Sequence, residues 1–526
     1  MILIIHHKAE KLLSIRYEDK TIQMSEVDLC SGFWEMAEKY PNEIIAWCEE
    51  DFENDIKSIA WKDVFHHDLI MASYAIKSAY IPDTIGYIDQ LPFVNFNREV
   101  PYPTWRMSTD IGGIKGRVLL EFQKFFAHIK DFGLLLTSIA KLGQQNGLFC
   151  YSSPHLIKDK EIALLEPIFN TASKKELFAF VYAHYKMIRL WLLFLCFMRY
   201  EKSFPLQAFL YVLFQRKYFK KNVDLSGISM NSRKLGLNHD NIDVIIPTLG
   251  RKSYLLQVLE DFKKQTQVPQ KVIVVEQNPE LDSQTELPEL KTKTWPFEIV
   301  HLFTHQTGAC NARNLALKEV TADWVFFADD DIRLSSELLK QSILELNRLE
   351  TDCLNINCKQ KDEERVFHKI KQWGSFGAGT CIVNKSFCTK LNFDDVFEYG
   401  FGEDQDYGMQ LRNIGCDIIY HPHLEILHLK APRGGFRTVV ATPWEKDKPK
   451  PSPTLMVLAK KYYSLPQIRG YKTELFLRYY WKQEIINPIK YFKMMSQRWK
   501  ISEEWAEKLM ADKESKSLKT ELSNEF

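Results

Sequence analysis

The sequence lacks any apolar run long enough to cross a membrane as a helix. Its most hydrophobic stretch, "MIRLWLLFLCFMRYEK", is free of charge only from Leu190 to Met198, about half of the ~20 residues a span needs. Net charge is also scarce, +1 over 526 residues, so whole-molecule attraction to nucleic acid is not expected. The ten cysteines are scattered. Their spacings fit neither a zinc site nor a small disulfide framework, which predicts free thiols in a reducing, cytoplasmic setting. The start, "MILIIHHKAEKLL", lacks the basic-then-apolar order of a secretory signal and reads as a buried first strand. Repeats and extended low-complexity segments are missing as well. What remains is the composition of an ordinary folded protein, long enough for two to four domains.

Four segments are expected. Residues 1–165 read as a smaller α/β unit, with strands in "ILII" and "EIIAWC" and helices in "GRVLLEFQKFFAHI" and "FGLLLTSIAKLG". Residues 166–236 read as a helical connector dense in aromatic and basic side chains. It is either a buried connector or a helix pair lying in a membrane interface, at the inner face of the cytoplasmic membrane. Residues 238–440 alternate strands and helices, which predicts a parallel α/β sheet with crossovers. Residues 441–526 open in a Pro/Lys linker, "TPWEKDKPKPSPT", and continue as basic helices.

In the third segment a strand at Ile242–Ile246 is expected to end at Pro247–Gly250, ahead of a helix over Ser253–Phe262. Further strands are "KVIVVEQN", "FEIVHLF" and "DWVFFADDD". Ligands of such sheets bind beyond the carboxyl ends of the strands. Those ends carry Thr248 with Arg251, Glu276 with Gln277 and Asn278, and Asp329 to Asp331. Three adjacent carboxylates raise one another's pKa unless a positive charge sits among them. Either a solvated acidic turn or a divalent cation would explain them.

The ordered set "VIIPTLGR", "VVEQN", "TGACNARNLAL", "FFADDD", "GAGTCIVNKSFC", "GFGEDQDYGMQLRNIG" and "HLEILHLK" resembles a family 2-type glycosyltransferase domain of the Rossmann-like GT-A fold. The resemblance covers roughly residues 241–430 and suits bacterial surface-polysaccharide enzymes. It implies an inverting transfer from a nucleotide-diphosphate sugar, most simply a UDP-sugar, to a hydroxyl of a glycan or lipid-linked glycan. It also implies Mn²⁺ or Mg²⁺ as cofactor. By resemblance Asp331 ligates the metal, Asp329 faces the ribose or reaches the metal through water, Asp330 holds the loop, and His428 is a further ligand. His421 and His423 are weaker candidates. Asp404 is the expected base, with Glu403 positioning it or the acceptor. Asp406 competes for that role, and an acidic helix start is the bland alternative. Pro247, Thr248, Arg251 and Glu276 resemble nucleotide-contacting positions. Gly308, Arg313 and Asn314 belong to the turn and helix under the diphosphate, although Arg313 could serve only in an ion pair. Trp373, Gly377 and Gly379 belong to a loop closing over donor and acceptor.

The first segment resembles a shortened GT-A domain without a clean metal motif at Glu49, Glu50 and Asp51, and reads as a degenerate, non-catalytic module; the alternatives are an unrelated α/β docking domain or a second active domain. There Asp110, Gly112 and Gly113 either hold a ligand or form a structural turn. Alternatives for the whole protein are a non-catalytic glycan- or nucleotide-binding scaffold that kept the fold, and a nucleotidyltransferase. The latter lacks its expected Gly-rich, basic phosphate loop in "IPTLGRKSY".

Overall fold

The computed structural model describes the chain apart from residues 19, 23–27, 159–168, 171, 235–239, 433–441 and 525–526. The three boundaries expected from sequence, at 165/166, 236–238 and 440/441, fall outside the described residues.

Two large sheets organise the described residues. The first contains β1 (Ile2–His7), β2 (Lys11–Tyr17), β3 (Lys20–Thr21), β4 (Ile44–Glu49), β5 (Ile70–Tyr74), β6 (Tyr102–Pro103), β7 (Ile111–Lys115) and β8 (Phe149–Ser152), in the order β3-β2-β1-β4-β7-β5-β8-β6. Helix α1 (Leu29–Lys39) starts on an Asp28 cap and α2 (Phe132–Gln145) on an Asp131 cap, each side chain accepting from a first-turn amide. The stretch expected to be one helix at 116–129 instead breaks between Gly116–Leu120 and Gln123–Phe126. Phe122, within the break, and Phe126 are both buried in the core.

Helices α3 (Lys174–His184), α4 (Met187–Tyr200) and α5 (Leu206–Val212) follow. The second sheet holds β9 (Ile242–Thr248), β10 (Lys271–Gln277), β11 (Glu298–Thr304), β12 (Trp324–Phe327), β13 (Ile332–Leu334), β14 (Cys353–Lys359), β15 (Lys371–Gln372), β16 (Cys381–Asn384) and β17 (Ile419–His428). Its order is β11-β10-β9-β12-β16-β14-β17-β13, with β15 also paired to β17. Helix α6 (Lys252–Lys263) covers one face, where Val244, Ile246, Val272 and Phe326 are buried. Helix α7 (Ala309–Leu317) covers the other, over Ile245, Ile273, Val275 and Phe327, and α8 (Leu338–Leu349) returns to the first face with Leu339, Ile343 and Leu346. Cover on both faces explains why β9 and β10 are buried along their whole length. Strand β9 runs two residues further than expected. Pro247 and Thr248 still pair with Val275 and Glu276, while pairing to β12 has already ended at Ile245. A proline is tolerated where one neighbouring strand has stopped.

The two sheets share a topology, in keeping with the likeness of the first segment to a shortened GT-A domain. Parallel β1/β4, antiparallel β4/β7 and β7/β5, parallel β5/β8 and antiparallel β8/β6 repeat as β9/β12, β12/β16, β16/β14, β14/β17 and β17/β15. They differ beyond the first strand, where an antiparallel hairpin stands in place of two parallel strands. Gly112 and Gly113 lie inside β7 rather than in a turn. A Cβ on Gly112 would meet the Trp47 ring at 2.3 Å.

The C-terminal helices α9 (Glu403–Asn413), α10 (Pro453–Tyr462), α11 (Leu465–Tyr480) and α12 (Pro488–Asn524) complete the chain. The expected linker is packed rather than loose. Trp444 is buried, with its ring 5.7 Å from Tyr399 and 5.9 Å from Trp505. Between the sheets, Gln372 accepts from Gln144 and from the Cys150 amide and donates to Asp417, which also accepts from Tyr151. Helix α11 presses on the first unit through Gly470, where a Cβ would lie 2.1 Å from the Tyr87 carbonyl oxygen. Gly470→Ala should therefore force backbone apart and lower the unfolding free energy by roughly 1–3 kcal/mol. Denaturant unfolding of the two proteins checks this, and equal midpoints would contradict the close approach.

Candidate functional site

Strand β12 is four buried apolar residues, and it delivers its successors to the carboxyl edge of the second sheet. The three aspartates there have different neighbours. Asp330 is buried and accepts from Thr248 Oγ1 at 2.8 Å and Arg251 Nη1 at 2.9 Å. Burial still dominates and pushes its carboxyl up to about 6. Asp331 is also buried. Burial works to raise its pKa, but the His428 contact, the Ala431 amide and Arg251 outweigh it and bring it down to about 2. Asp331 Oδ1 lies 3.1 Å from His428 Nε2, and the Ala431 amide donates to Oδ2 at 2.8 Å. Hydrogen bonds to Asp331 and Cys358 raise His428 to about 10 against the effect of burial. Asp329 is partly open, with Arg313 Nη2 at 3.6 Å.

Asp329, Asp331 and His428 each offer a ligand atom within 4.8 Å of the other two. His428 comes from the end of β17, which pairs with β13 at Ile332↔His428. That pairing brings together positions nearly a hundred residues apart. The weaker candidates lie elsewhere: His421 contacts Glu345 at 3.1 Å, and His423 contacts Arg365 at 3.1 Å. Among the described residues one other such triplet exists, His7, Glu49 and Glu50. It stands at the ends of β1 and β4, the topological counterparts of β9 and β12. The loop next to it is closed, because Asp110 accepts from the amides of Ile76, Lys77 and Ser78 and from the Ser78 hydroxyl.

Asp404 opens α9 and accepts from the Ala378 amide at 3.2 Å. Burial raises its carboxyl to about 7, with Arg313 opposing and Glu403 and Asp329 adding to the rise. Asp406 faces away. It is buried, held by Lys461, and accepts from Tyr462 and Gln410. Gly379 gives the loop its approach to the metal candidates, since a Cβ there would lie 2.1 Å from Asp329 Oδ2. Gly377 donates its amide to Cys381 Sγ.

Several expected contacts are spent within the chain. Glu276 accepts from Thr285 and Glu286 and meets His301 at 2.8 Å. Asn314 binds both the amide and the carbonyl of Phe393. Trp373 stacks on Tyr420 at 4.7 Å. Gly308, at φ 150°, donates to Gln277 and leads into α7. The amide of Asn311 donates to Glu398 at 2.7 Å, and burial raises the Glu398 carboxyl. Glu398 therefore sits at the helix start expected to underlie a diphosphate, as an anion would. Sequence reasoning missed it, because "FDDVFEYG" carries no spacing signal for that contact.

A cavity of about 490 Å³ runs beside α9. Gln405, Ser375, Asn95, Gln145, His184 and Tyr462 are among its walls, so the catalytic-type unit, the first unit and both helical segments contribute. His184 is buried there with its Nε2 unpartnered.

Residues 243–394 match the family described as glycosyl transferase family 2. No curated protein matches the chain in sequence. Solved structures similar to it include S. aureus TarS 1–349 in complex with UDP-GlcNAc, 19% identical, with TM-score 0.34 over 46% of this chain and 72% of that one. GalNAc-T7 with UDP, GalNAc and Mn²⁺ is 10% identical, with TM-score 0.37 over 51% and 59%. Mannosyltransferase PcManGT from Pyrobaculum calidifontis, in complex with GDP-Man and Mn²⁺, is 14% identical, with TM-score 0.29 over 52% and 75%. The second sheet, with its acidic edge after β12 and the family match across residues 243–394, gives this chain a family 2-type glycosyltransferase domain of the GT-A fold.

Proposed function

We propose that the second unit moves a sugar, with inversion, from a nucleotide-diphosphate sugar, UDP-linked in the simplest case, to a hydroxyl of a glycan or lipid-linked glycan. The observation that carries this is the meeting of Asp329, Asp331 and His428 within 4.8 Å at one sheet edge, with Asp404 bonded to the loop that touches Asp329. Two carboxylates and one imidazole suit Mn²⁺ or Mg²⁺, and these three residues would hold it. When bound, such an ion offsets the charge that develops on the departing diphosphate.

The chain's own groups do the rest. Asp404 takes the proton from the acceptor hydroxyl as that oxygen attacks the anomeric carbon. A base works best with a pKa near the working pH, and burial gives Asp404 one of about 7. The Ala378 amide and Arg313 orient it, and Glu403 lies beside it on the first turn. Thr248 and Arg251 act through Asp330, fixing the strand end rather than reaching the donor themselves. Gly308, Gly377 and Gly379 let backbone come close to the donor. The acceptor sits in the cavity beside α9, where amide side chains and tyrosines face it. The first unit repeats the topology but takes no donor, because the four donors to Asp110 close its equivalent loop.

Asp404→Asn should lower kcat by roughly 10²–10⁴-fold while leaving donor binding intact. In the parent enzyme, Asp404 must be ionised to accept a proton. Activity should therefore rise with pH through about 7 and be lost below it. A flat profile from pH 5 to 8 would remove Asp404 from the role. In a thermal-shift panel of UDP, GDP, CDP and dTDP with and without Mn²⁺, one nucleotide should stabilise the protein only with metal. Asp331→Ala should abolish that shift. If no nucleotide stabilises the parent protein, the transfer reading fails.

A further inference from the structure

Helix α4 carries an apolar stripe that the protein leaves uncovered. Ile188, Trp191, Leu195 and Met198 recur at helical spacing on one side and are exposed, while Leu190, Leu193 and Phe197 on the other side are buried. The stripe continues across ring contacts. Trp191 lies 4.5 Å from Phe209, and Phe194 lies 5.4 Å from Phe204. Beyond them, α5 exposes Leu206 and Leu210, and Phe214 is 91% exposed. At its other end the stripe meets the C-terminal helices. A shallow apolar groove is lined by Leu195 and Met198 of α4, Leu477 of α11 and Phe492 of α12. Past it stand Trp481 and Ile489, exposed to 86% and 81%. Large contiguous apolar patches are rare on monomeric soluble proteins and mark interaction sites.

The charges around this face are predominantly positive. Lys186, Arg199, Lys202, Arg216, Lys217 and Lys220 border it on the connector side, all exposed, with Glu201 the acidic residue among them. Arg478, Lys482, Lys490 and Lys493 border it on the C-terminal side, also exposed, with Glu484 the exposed acidic residue there. Several of these cations lie against rings: Lys217 over Tyr182 at 4.5 Å and Arg199 over Tyr200 at 5.3 Å. Protruding Trp, Phe and Ile inside a cationic border are the arrangement of a surface that enters acyl chains while its lysines and arginines stay among headgroups. A second copy of the same face would bring a predominantly positive border against another, which disfavours self-association.

We propose that this face, built from α4, α5, α11 and the start of α12, docks on an anionic lipid surface. Among the described residues no helix is long and apolar enough to cross a membrane, so the contact is peripheral. The face adjoins the cavity beside α9. Arg189 of α4 lines the cavity and Leu195 lines the groove, about 9 Å along the helix by its rise. A lipid-linked acceptor would therefore meet the cavity from the bilayer side. That last step rests on the transfer reading; the docking does not.

The test is sedimentation of the full chain with vesicles of phosphatidylcholine plus phosphatidylglycerol, and with phosphatidylcholine alone. The protein should pellet with the anionic vesicles at low salt, be partly released at high salt, and stay largely in solution with the neutral ones. The combined variant Phe214→Ser, Trp481→Ser, Ile489→Ser should bind about tenfold more weakly or worse, with unchanged melting temperature and an unchanged nucleotide-dependent thermal shift. Lys202→Glu with Lys490→Glu should weaken binding most at low salt. The proposal is overturned if the parent protein pellets with neither vesicle, or if the serine variant binds as tightly as the parent. It is equally overturned if the parent runs as a dimer that the serine substitutions convert to monomer. A normal thermal shift with failed vesicle binding sinks the docking and leaves the transfer reading intact.

Discussion

Three adjacent carboxylates at the end of a buried apolar strand are the constraint on which the second unit depends. Strand β12 needs cover on both faces, and the residues after it cannot all ionise without compensation. The chain solves this by giving each aspartate a different cation. Arg251 bridges Asp330 and Asp331, His428 faces Asp331, and Arg313 faces Asp329. Each cation comes from a different part of the unit: the turn before α6, the end of β17 and helix α7. The acidic edge therefore fixes where three elements end. It also holds Asp331 ionised, while burial raises Asp330 to about 6, so the two neighbours release their protons in different pH ranges.

The repeated sheet topology explains how such a site can be held beside a second unit. Five consecutive strand pairings have the same order and direction in both sheets, yet only the second sheet has parallel strands beyond its first strand. At the first sheet's edge the corresponding loop is filled by Asp110 and its four donors. The two units then meet through a buried polar network around Gln372 and Asp417, where burial raises the Asp417 carboxyl to about 6. Helix α11 closes against the first unit where Gly470 lets backbone touch backbone. The cavity beside α9 is a product of that assembly, since its walls come from every segment of the chain.

Much of this was legible in the sequence. The β-branched run at Ile242–Ile246, the helix at Ser253–Phe262 and the "FFADDD" strand end depend on local periodicity and turn chemistry, and these elements formed within a few residues of expectation. Legibility failed where a side chain's partner lies far along the chain. Asn314 and Glu276 occupy positions that suggest a ligand, but each also bonds a distant residue, Phe393 and His301 respectively. Asp406 sits two residues from Asp404 and looks equivalent in sequence. On a helix those two residues point in different directions, so Asp406 meets Lys461 and Tyr462 while Asp404 meets Ala378. Glu398 gave no signal because a carboxylate reaching another helix's first turn needs no motif.

By itself the sequence determined the element types, the acidic edge and the identity of the groups that could gather there. These follow from short-range sterics, hydrophobic period and the chemistry of each side chain. The tertiary structure alone decided which of those groups share a site, how far the first unit's strand pairings follow the second unit's, and that the aromatic, basic helices present one uncovered face. These are relations between residues tens to hundreds of positions apart, set by packing and strand register, which no local pattern encodes.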